Sequence, residues 1–280
     1  MRVAGASLVL IVLAGAWIGV RGYLAFGHLQ SAQAQATAMT RHLTDTAAVS
    51  RSVSTIQDDA AAAHRLTSDP IWRLGQRVPY VGAQLEAVGQ TTAAINDMSA
   101  NALAPLAQVA SKFTPTDLAP KNGRINTAAF DEVGPVAAES AGYMTAATNQ
   151  IELIDRLGLL PPLATAIDDL AQQVNTATGA VDGIARASIL MPAMLGDEGK
   201  RSYLVVGQNN SEWRSLGGML GAMFIVNTNK GKLEFTDFKA ETDFPAFTKP
   251  VMELPKERLE LFHPNPALKV QNTTQIPNFA

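Results

Sequence analysis

The amino-terminal pattern is an uninterrupted apolar run from Val3 to Val20, bounded by Arg2 and Arg21. The run contains no charged residue, and a helix needs about 20 apolar residues to cross the core of a bilayer. The pattern therefore predicts a membrane anchor over residues 1–27. A cleaved signal peptide is the alternative.

The signal-peptide alternative depends on "AQAQA" at residues 32–36, where small residues stand at the spacing of a cleavage site. This segment lies well beyond the apolar run, which favours an uncleaved anchor. The short flank that carries Arg2 predicts a cytoplasmic amino terminus. We therefore expect a single-pass protein of the cell membrane, with the chain after Tyr23 outside the cytoplasm.

Apolar or small residues next recur in alternating steps of three and four, the spacing of helices that pack as in a coiled coil. The seam over residues 28–66 is Leu29, Ala32, Ala36, Met39, Leu43, Thr46, Ser50 and Val53. Further helices are predicted from about Ala83 and from about Pro135 to Leu157. The clearest seam is Leu163, Ile167, Leu170, Val174, Ala177, Val181, Ile184, Ser188 and Met191. We expect helical hairpins that form a bundle or stalk over residues 28–196.

Two segments interrupt this spacing. In "SDPIWRLGQRVPYVG", prolines and glycines break the helical pattern, and Trp72 and Tyr80 are expected to anchor the turn. "KFTPTDLAPKNGRINTAAF", residues 112–130, has the composition of a loop. Both segments therefore separate predicted helices.

The pattern changes after Gly196 to short β-prone runs, "YLVV", "AMFIV" and "LEFTDF", with the turn "NTNKGK" before the third. Alternation within the third run predicts that Leu233 and Phe235 point inward, while Lys232, Glu234 and Thr236 point outward. Phe238 is also expected to point inward. The fold class is therefore α+β: a transmembrane helix, an extracytoplasmic helical bundle, and the start of an α/β domain over residues 197–280.

Charge and composition exclude several classes of function. The formal net charge is -3 and no cluster of basic residues occurs, so we expect no nucleic-acid partner. Cysteine is absent, which excludes disulfides and thiolate nucleophiles. The histidines His28, His42, His64 and His263 are scattered, so no metal site is expected.

The candidate site is the polar link "QNNSEWRSLGG" between the first two predicted strands. Its tentative ligand-binding residues are Asn209, Asn210, Glu212, Arg214, Gly217 and Gly218. The guanidinium of Arg214 suits a phosphate or carboxylate, and the two glycines allow backbone amides to approach an anion. Glu212 can hold Arg214 or help to bind a divalent cation, with the two asparagines around it.

A structural role for the same loop is the alternative. Asparagine, glutamate and arginine often fix a loop through capping hydrogen bonds and an internal ion pair, here Glu212 with Arg214, and adjacent glycines permit a bend. The residues alone leave both roles open.

This region resembles a family of membrane-anchored surface proteins of high-GC Gram-positive bacteria, domain-of-unknown-function family 4012. The matching positions are Arg201, Tyr203, Leu204, Gln208, Asn209, Asn210, Glu212, Arg214, Gly217, Gly218 and Gly231. "RVPYVG" and "LMPAMLG" also resemble this family. "QNTTQIPNFA" is similar to its segment leading into further strands and helices. The resemblance implies that the α/β domain is incomplete at Ala280.

A more distant resemblance, in strand order and loop, is to the LytR-CpsA-Psr fold, whose members transfer lipid-linked glycopolymers to the cell wall with arginines, acidic residues and magnesium. Here Lys239, Glu241 and Asp243 follow the third strand, without an arginine.

Three functions are therefore open. We expect an extracytoplasmic protein that binds or assembles lipid-linked or cell-wall glycopolymer. The alternatives are a glycopolymer phosphotransferase, which alone would need magnesium, and a chemoreceptor-like sensor. The sequence assigns no catalytic residue and does not decide whether the protein is an enzyme.

Overall fold

The computed structural model describes residues 2–41, 45–113, 119–263 and 265–275. They fall into two compact units. One unit comprises Met1–Ala119 with Ala128–Met191, and the other comprises Pro120–Thr127 with Pro192–Ala280.

Helices make up the first unit, to which all but the last three residues of α7 belong. They are α1 (Arg2–Met39), α2 (Thr46–Thr67), α3 (Pro70–Gly75), α4 (Gly82–Met98), α5 (Ala104–Ala110), α6 (Ala128–Glu152) and α7 (Pro161–Met194). A π-helical turn, Ser99–Leu103, lies between α4 and α5. Over Ile11–Met39, α1 is long and apolar enough to cross a membrane. This stretch shares residues 11–20 with the predicted apolar run and extends beyond Arg21.

The seam over residues 28–66 has the spacing of one helix, and one helix there is wrong, because the chain forms a hairpin of α1 and α2. Its helices are antiparallel, since Arg21 contacts the carbonyl of Leu66 while His28 contacts Asp59. The break has a local cause: the carboxylate of Asp45 accepts a hydrogen bond from the N–H of Ala48 at 2.9 Å and caps α2. Leu43, a member of the predicted seam, lies outside the described residues.

The chain from α3 to α4 contains one confirmed and one wrong prediction. Trp72 anchors this segment: it is 2% exposed, and its Nε1–H donates to the carbonyl oxygen of Leu85 at 3.0 Å. Tyr80 does not, because 94% of it is exposed. The segment is also less irregular than predicted, since Asp69 caps the short helix α3 and Pro70 occupies its first turn.

Two other helix boundaries are informative. α6 begins at Ala128, so Pro135 lies inside the helix rather than at its start. The predicted loop over residues 112–130 is accordingly shorter at its carboxyl end, and residues 114–118 are not described. The helix predicted from Leu163 to Met191 is confirmed as α7, and Ile167, Val174, Val181 and Ser188 of its seam are buried. Ala177 and Ile184 of the seam are exposed, and Ala185 is buried in place of Ile184.

The core of the helical unit is rich in small residues. Its buried cluster includes Ala60, Ala87, Ala94, Ile95, Met98, Ala102, Met144, Ala147, Ile151, Ile154, Ile167, Val174 and Val181. Two hydroxyl pairs lie between helices, Thr67 with Thr92 at 2.6 Å and Thr148 with Thr178 at 2.8 Å. Alanine lets helix backbones approach closely, and each hydroxyl has a partner, so burial leaves none of these four unsatisfied.

The second unit contains a three-stranded antiparallel sheet in the order β1-β2-β3. The strands are β1 (Arg201–Asn209), β2 (Met219–Asn229) and β3 (Lys232–Ala240), which confirms the three predicted runs. Short helices follow: the 3-10 helix Glu241–Asp243, α8 (Lys256–Phe262), α9 (Asn265–Leu268) and the 3-10 helix Val270–Gln275.

The hairpin between β2 and β3 is closed by a two-residue turn. Its central residues, Lys230 and Gly231, have φ values of 47° and 77°, the positive pair of a type I′ turn. The N–H of Ile125 donates to the carbonyl oxygen of Gly231 at 2.8 Å, and the N–H of Leu233 donates to the carbonyl oxygen of Gly123 at 2.8 Å. Residues 120–127 therefore clamp the turn.

The inward direction predicted for Phe235 and Phe238 is wrong, because 53% and 65% of these residues are exposed. They do share one face of the sheet with Phe224, whose ring centroid lies 6.0 Å from that of Phe235 and 5.1 Å from that of Phe238. Asp237, at φ 54°, forms the irregularity that keeps Phe238 on this face. Strict alternation would put Phe235 and Phe238 on opposite faces, so the shared face depends on this irregularity, and alternation does not show whether a face is covered.

Candidate functional site

The candidate site is the loop from Asn210 to Gly218, which joins β1 to β2. Strand pairing shifts register between Gly207 and Gln208, so a bulge re-aims the end of β1 just before the loop. The loop is also tied to the last 3-10 helix: the hydroxyl of Ser215 donates to the carbonyl oxygen of Gln275 at 2.8 Å. The loop therefore has a defined path although most of its side chains are exposed.

Asn209 and Gly218 shape the backbone of this loop. The side-chain oxygen of Asn209 accepts a hydrogen bond from the N–H of Ser211 at 3.1 Å, which forms an Asx turn. A Cβ on Gly218 would lie 2.5 Å from the carbonyl oxygen of Asn209. The backbone of the loop therefore explains why asparagine stands at 209 and glycine at 218, without a ligand.

Gly217 supplies a backbone conformation rather than a free amide. Its φ is 98°, which favours glycine, and its N–H donates to the carbonyl oxygen of Arg214 at 3.1 Å. This hydrogen bond closes a turn over Arg214–Gly217. The amide that the sequence suggested for an anion is therefore engaged within the loop.

Glu212 and Arg214 differ from these residues, because neither side chain forms an ion pair or hydrogen bond with any residue that the structure describes. The internal ion pair that would give Arg214 a structural role is thus not formed. Arg214 is partly buried, whereas Asn210 and Glu212 are exposed. The guanidinium remains free to bind an external anion.

The structure adds Trp213 to the candidate residues. It lies between Glu212 and Arg214, and 96% of it is exposed. A fully exposed indole offers a large flat apolar surface and one N–H donor to another molecule. A tryptophan within an otherwise polar loop is the sequence signal that could have identified it.

The residues that could extend the site toward phosphotransfer are Lys239, Glu241 and Asp243, at the end of β3. Asp243 is engaged locally, because its carboxylate accepts a hydrogen bond from the N–H of Ala240 at 2.8 Å. Lys239 pairs with Met223, four residues along β2 from its start at Met219, which corresponds to about 13 Å of strand. Across the described ranges, no group of three metal-ligating side chains converges.

The comparisons bear on this second unit. No curated protein and no solved structure matches the chain. Residues 198–280, which include every residue of the candidate site, match the family model described as "Protein of unknown function (DUF4012)", and this supports the family that the sequence resembles.

Proposed function

We propose that this protein is anchored in the cell membrane and binds lipid-linked or cell-wall glycopolymer outside the cytoplasm, in a binding or assembly role, through the loop from Asn209 to Gly218. The observation that carries the proposal is the guanidinium of Arg214, which pairs with no described residue, beside the exposed Trp213. Support for the anchor comes from the length and apolar character of α1.

The two side chains suit the two parts of such a ligand. Arg214 presents a planar fork whose N–H groups match the oxygens of a phosphate or pyrophosphate. Trp213 presents a flat apolar surface with one N–H donor, which can cover the apolar face of a sugar ring. Glu212 can accept hydrogen bonds from sugar hydroxyls. A phosphate-bearing glycan combines these features.

A phosphotransferase is less well supported than a binding protein. Transfer of a phosphoryl group requires several positive groups around the developing charge. Arg214 supplies one such group, and Lys239 pairs at a different level of the sheet. Binding needs only the contacts that the loop already presents.

Replacing Arg214 by alanine should weaken binding without unfolding the protein. For the full chain in detergent with magnesium, we expect calorimetric affinity for a polyprenyl-pyrophosphate glycan analogue to fall by about 2 kcal/mol, roughly 30-fold. Stability should change little because no described partner of Arg214 is left unpaired. Arg214→Lys should restore only part of the affinity, since lysine keeps the charge but not the fork.

Arg258 of α8 provides the matched control, because it also lacks an ion pair with any described residue. Arg258→Ala should bind the analogue as the wild type does. The proposal is wrong if the wild type does not bind the analogue, or if Arg214→Ala destabilises the protein while affinity is unchanged.

Orientation in the membrane is a separate prediction. Because Arg2 precedes the apolar run, alkaline phosphatase fused after Ala280 should be active in bacterial cells and a cytoplasmic reporter at the same position inactive. The opposite pattern would show that the orientation is reversed. Release of the protein with a new amino terminus near Ala36 would show that the anchor is cleaved.

A further inference from the structure

One end of the helical unit carries exposed apolar side chains from two segments. We call this set the apolar collar, and its members are Leu74, Val78, Tyr80, Leu153, Leu157 and Leu160. Besides Tyr80, four members are more than 60% exposed. They are Leu74 at 63%, Leu153 at 84%, Leu157 at 84% and Leu160 at 63%. Large aliphatic side chains rarely cluster on a water-facing surface, so the collar calls for a covering partner.

The two segments of the collar are held together by Gln84. Its side-chain N–H donates to the carbonyl oxygen of Gly158 at 2.7 Å, and its side-chain oxygen accepts from the N–H of Leu160 at 3.0 Å. Gln84 lies in the first turn of α4, directly after the segment from α3. The turn between α6 and α7 is therefore fixed beside the chain that carries Leu74 and Tyr80.

The collar lies level with the end of the apolar run of α1. A Cβ built on Gly75 would lie 2.8 Å from the Cδ1 of Ile18, so α3 packs directly on a residue of that run. One turn further along, a Cβ on Gly22 would lie 3.6 Å from the ring of Trp72. If α1 spans a bilayer over Val3 to Val20, α3 lies at the depth of the lipid headgroups.

Arg21 fixes this level. Its guanidinium donates to the carbonyl oxygens of Leu66 at 2.8 Å and Arg65 at 2.6 Å, and its Nε lies 2.9 Å from a carboxylate oxygen of Asp69. It also lies 5.2 Å from the ring centroid of Trp17. Arg21, whose charge ends the apolar run, is thus bound by the carbonyl groups at the end of α2 and by Asp69, which caps α3. These contacts hold α3 beside the end of the apolar run.

Tyr80 is presented outward by a strained turn. Its φ is 65°, and the N–H of Val81 donates to the carbonyl oxygen of Pro79 at 2.8 Å across it. Positive φ is unfavourable for a bulky residue, so such a conformation at an exposed aromatic side chain points to a role for the side chain. Tyrosine and tryptophan are enriched at membrane interfaces, where the ring contacts acyl chains and the polar group contacts headgroups.

We propose that the apolar collar is seated in the interfacial layer of the bilayer that α1 crosses, so that lipid covers it. This inference rests on the membrane anchor of the proposed function but not on glycopolymer binding. The charges beside the collar have both signs on both segments, with Asp69, Arg73 and Arg77 on one and Glu152, Asp155 and Arg156 on the other. Asp69 pairs with Arg21, and Arg156 pairs with Asp168. Seating is therefore driven by apolar contact and does not require anionic lipid.

The test measures depth at single sites. The chain has no cysteine, so each introduced cysteine carries one label. Leu74→Cys, Leu157→Cys, Leu13→Cys and Ile189→Cys would be labelled with an environment-sensitive fluorophore in the full chain, reconstituted in phosphatidylcholine vesicles. Quenching by nitroxide-labelled lipid and by iodide on both sides of the membrane reports whether each label lies in lipid or in water.

Ile189 is the matched control, because it is 67% exposed, close to the value for Leu74, and lies on α7 about 42 Å from its start by helical rise. We expect the labels at residues 74 and 157 to be quenched by shallow lipid nitroxides and several-fold less by iodide than the label at residue 189. The label at residue 13 should be quenched by lipid alone. Cysteine at these exposed positions should not disturb folding.

The other outcomes separate the two claims. If the label at residue 13 lies in lipid while those at 74 and 157 are as accessible to iodide as that at 189, the anchor is correct and the seating is wrong. If the label at residue 13 is in water, both are wrong. If the collar labels are protected from iodide and also from lipid nitroxides, a protein surface or a second copy covers the collar, and the inference is overturned.

Discussion

Replacing Ile167 by aspartate is expected to unfold or loosen the helical unit. Ile167 is 2% exposed and belongs to the buried cluster that contains Met144 and Ile151. An unpaired carboxylate there loses its hydration, and the apolar contacts of the isoleucine are lost as well, so we expect the free energy of unfolding to fall by roughly 4 kcal/mol or more. Thermal unfolding followed by circular dichroism at the helical wavelengths measures this change.

Ile189→Asp is the matched control for this prediction. It makes the same chemical change on the same helix at a position that is 67% exposed, so its effect should stay within about 0.5 kcal/mol. Equal melting temperatures for Ile167→Asp and Ile189→Asp would show that the face containing Ile167 is accessible to water.

Replacing Gly231 by alanine is expected to destabilise the sheet unit by about 3 kcal/mol, because two unfavourable effects coincide. A Cβ would lie 2.1 Å from the carbonyl oxygen of Ile125, and alanine does not readily adopt a φ of 77°. Relieving the clash would separate residues 120–127 from the hairpin and break the hydrogen bond from the N–H of Ile125. Hydrogen exchange measured by mass spectrometry should show faster exchange in β2, β3 and residues 120–127.

The control is Gly142→Ala in α6, where a Cβ would meet no atom within 4 Å. Alanine in an exposed helix position should be neutral or stabilise by up to about 1 kcal/mol. Unchanged exchange in β2 and β3 of Gly231→Ala would mean that the turn accommodates a side chain and that residues 120–127 do not clamp it.

Periodicity predicted which segments form helices and strands better than it predicted where each one begins and ends. The three-four seam from Leu163 to Met191 and the three β-prone runs became α7 and β1 to β3, because each segment is dominated by one repeating contact. The same reasoning merged α1 with α2, since both helices of a hairpin bury one side and the spacing can continue across the break. The carboxylate of Asp45 marks that break, and a cap is a single residue rather than a pattern.

Direction was predictable, but burial was not. Phe235 and Phe238 were both expected on the inner face of β3, and the structure confirms that they share a face, because of the irregularity at Asp237. Whether another element covers the face depends on contacts that are distant in the sequence, which alternation within one strand cannot reveal. The same limitation applies to Tyr80, whose aromatic ring was expected to anchor a turn and is instead 94% exposed.

The sequence predicted where the candidate site lies but not the role of each of its residues. Residue types identified the loop from Asn209 to Gly218, but they did not distinguish side chains that shape the backbone from those that are free. That distinction depends on partners: the carboxamide of Asn209 accepts from the N–H of Ser211, whereas Arg214 has no described partner. The roles therefore follow from geometry that a one-dimensional pattern does not contain.

The alanine-rich core has a thermodynamic consequence. Alanine side chains and paired threonine hydroxyls, as at Thr67 with Thr92, expose little hydrocarbon on unfolding, whereas polar groups newly exposed to water lower the heat capacity. We therefore expect the heat-capacity increment per residue of the helical unit to lie below the usual value of about 12–15 cal/mol/K, which calorimetry of the full chain would measure. Its stability curve is correspondingly flat, so the bundle changes its stability little between cold and warm surroundings.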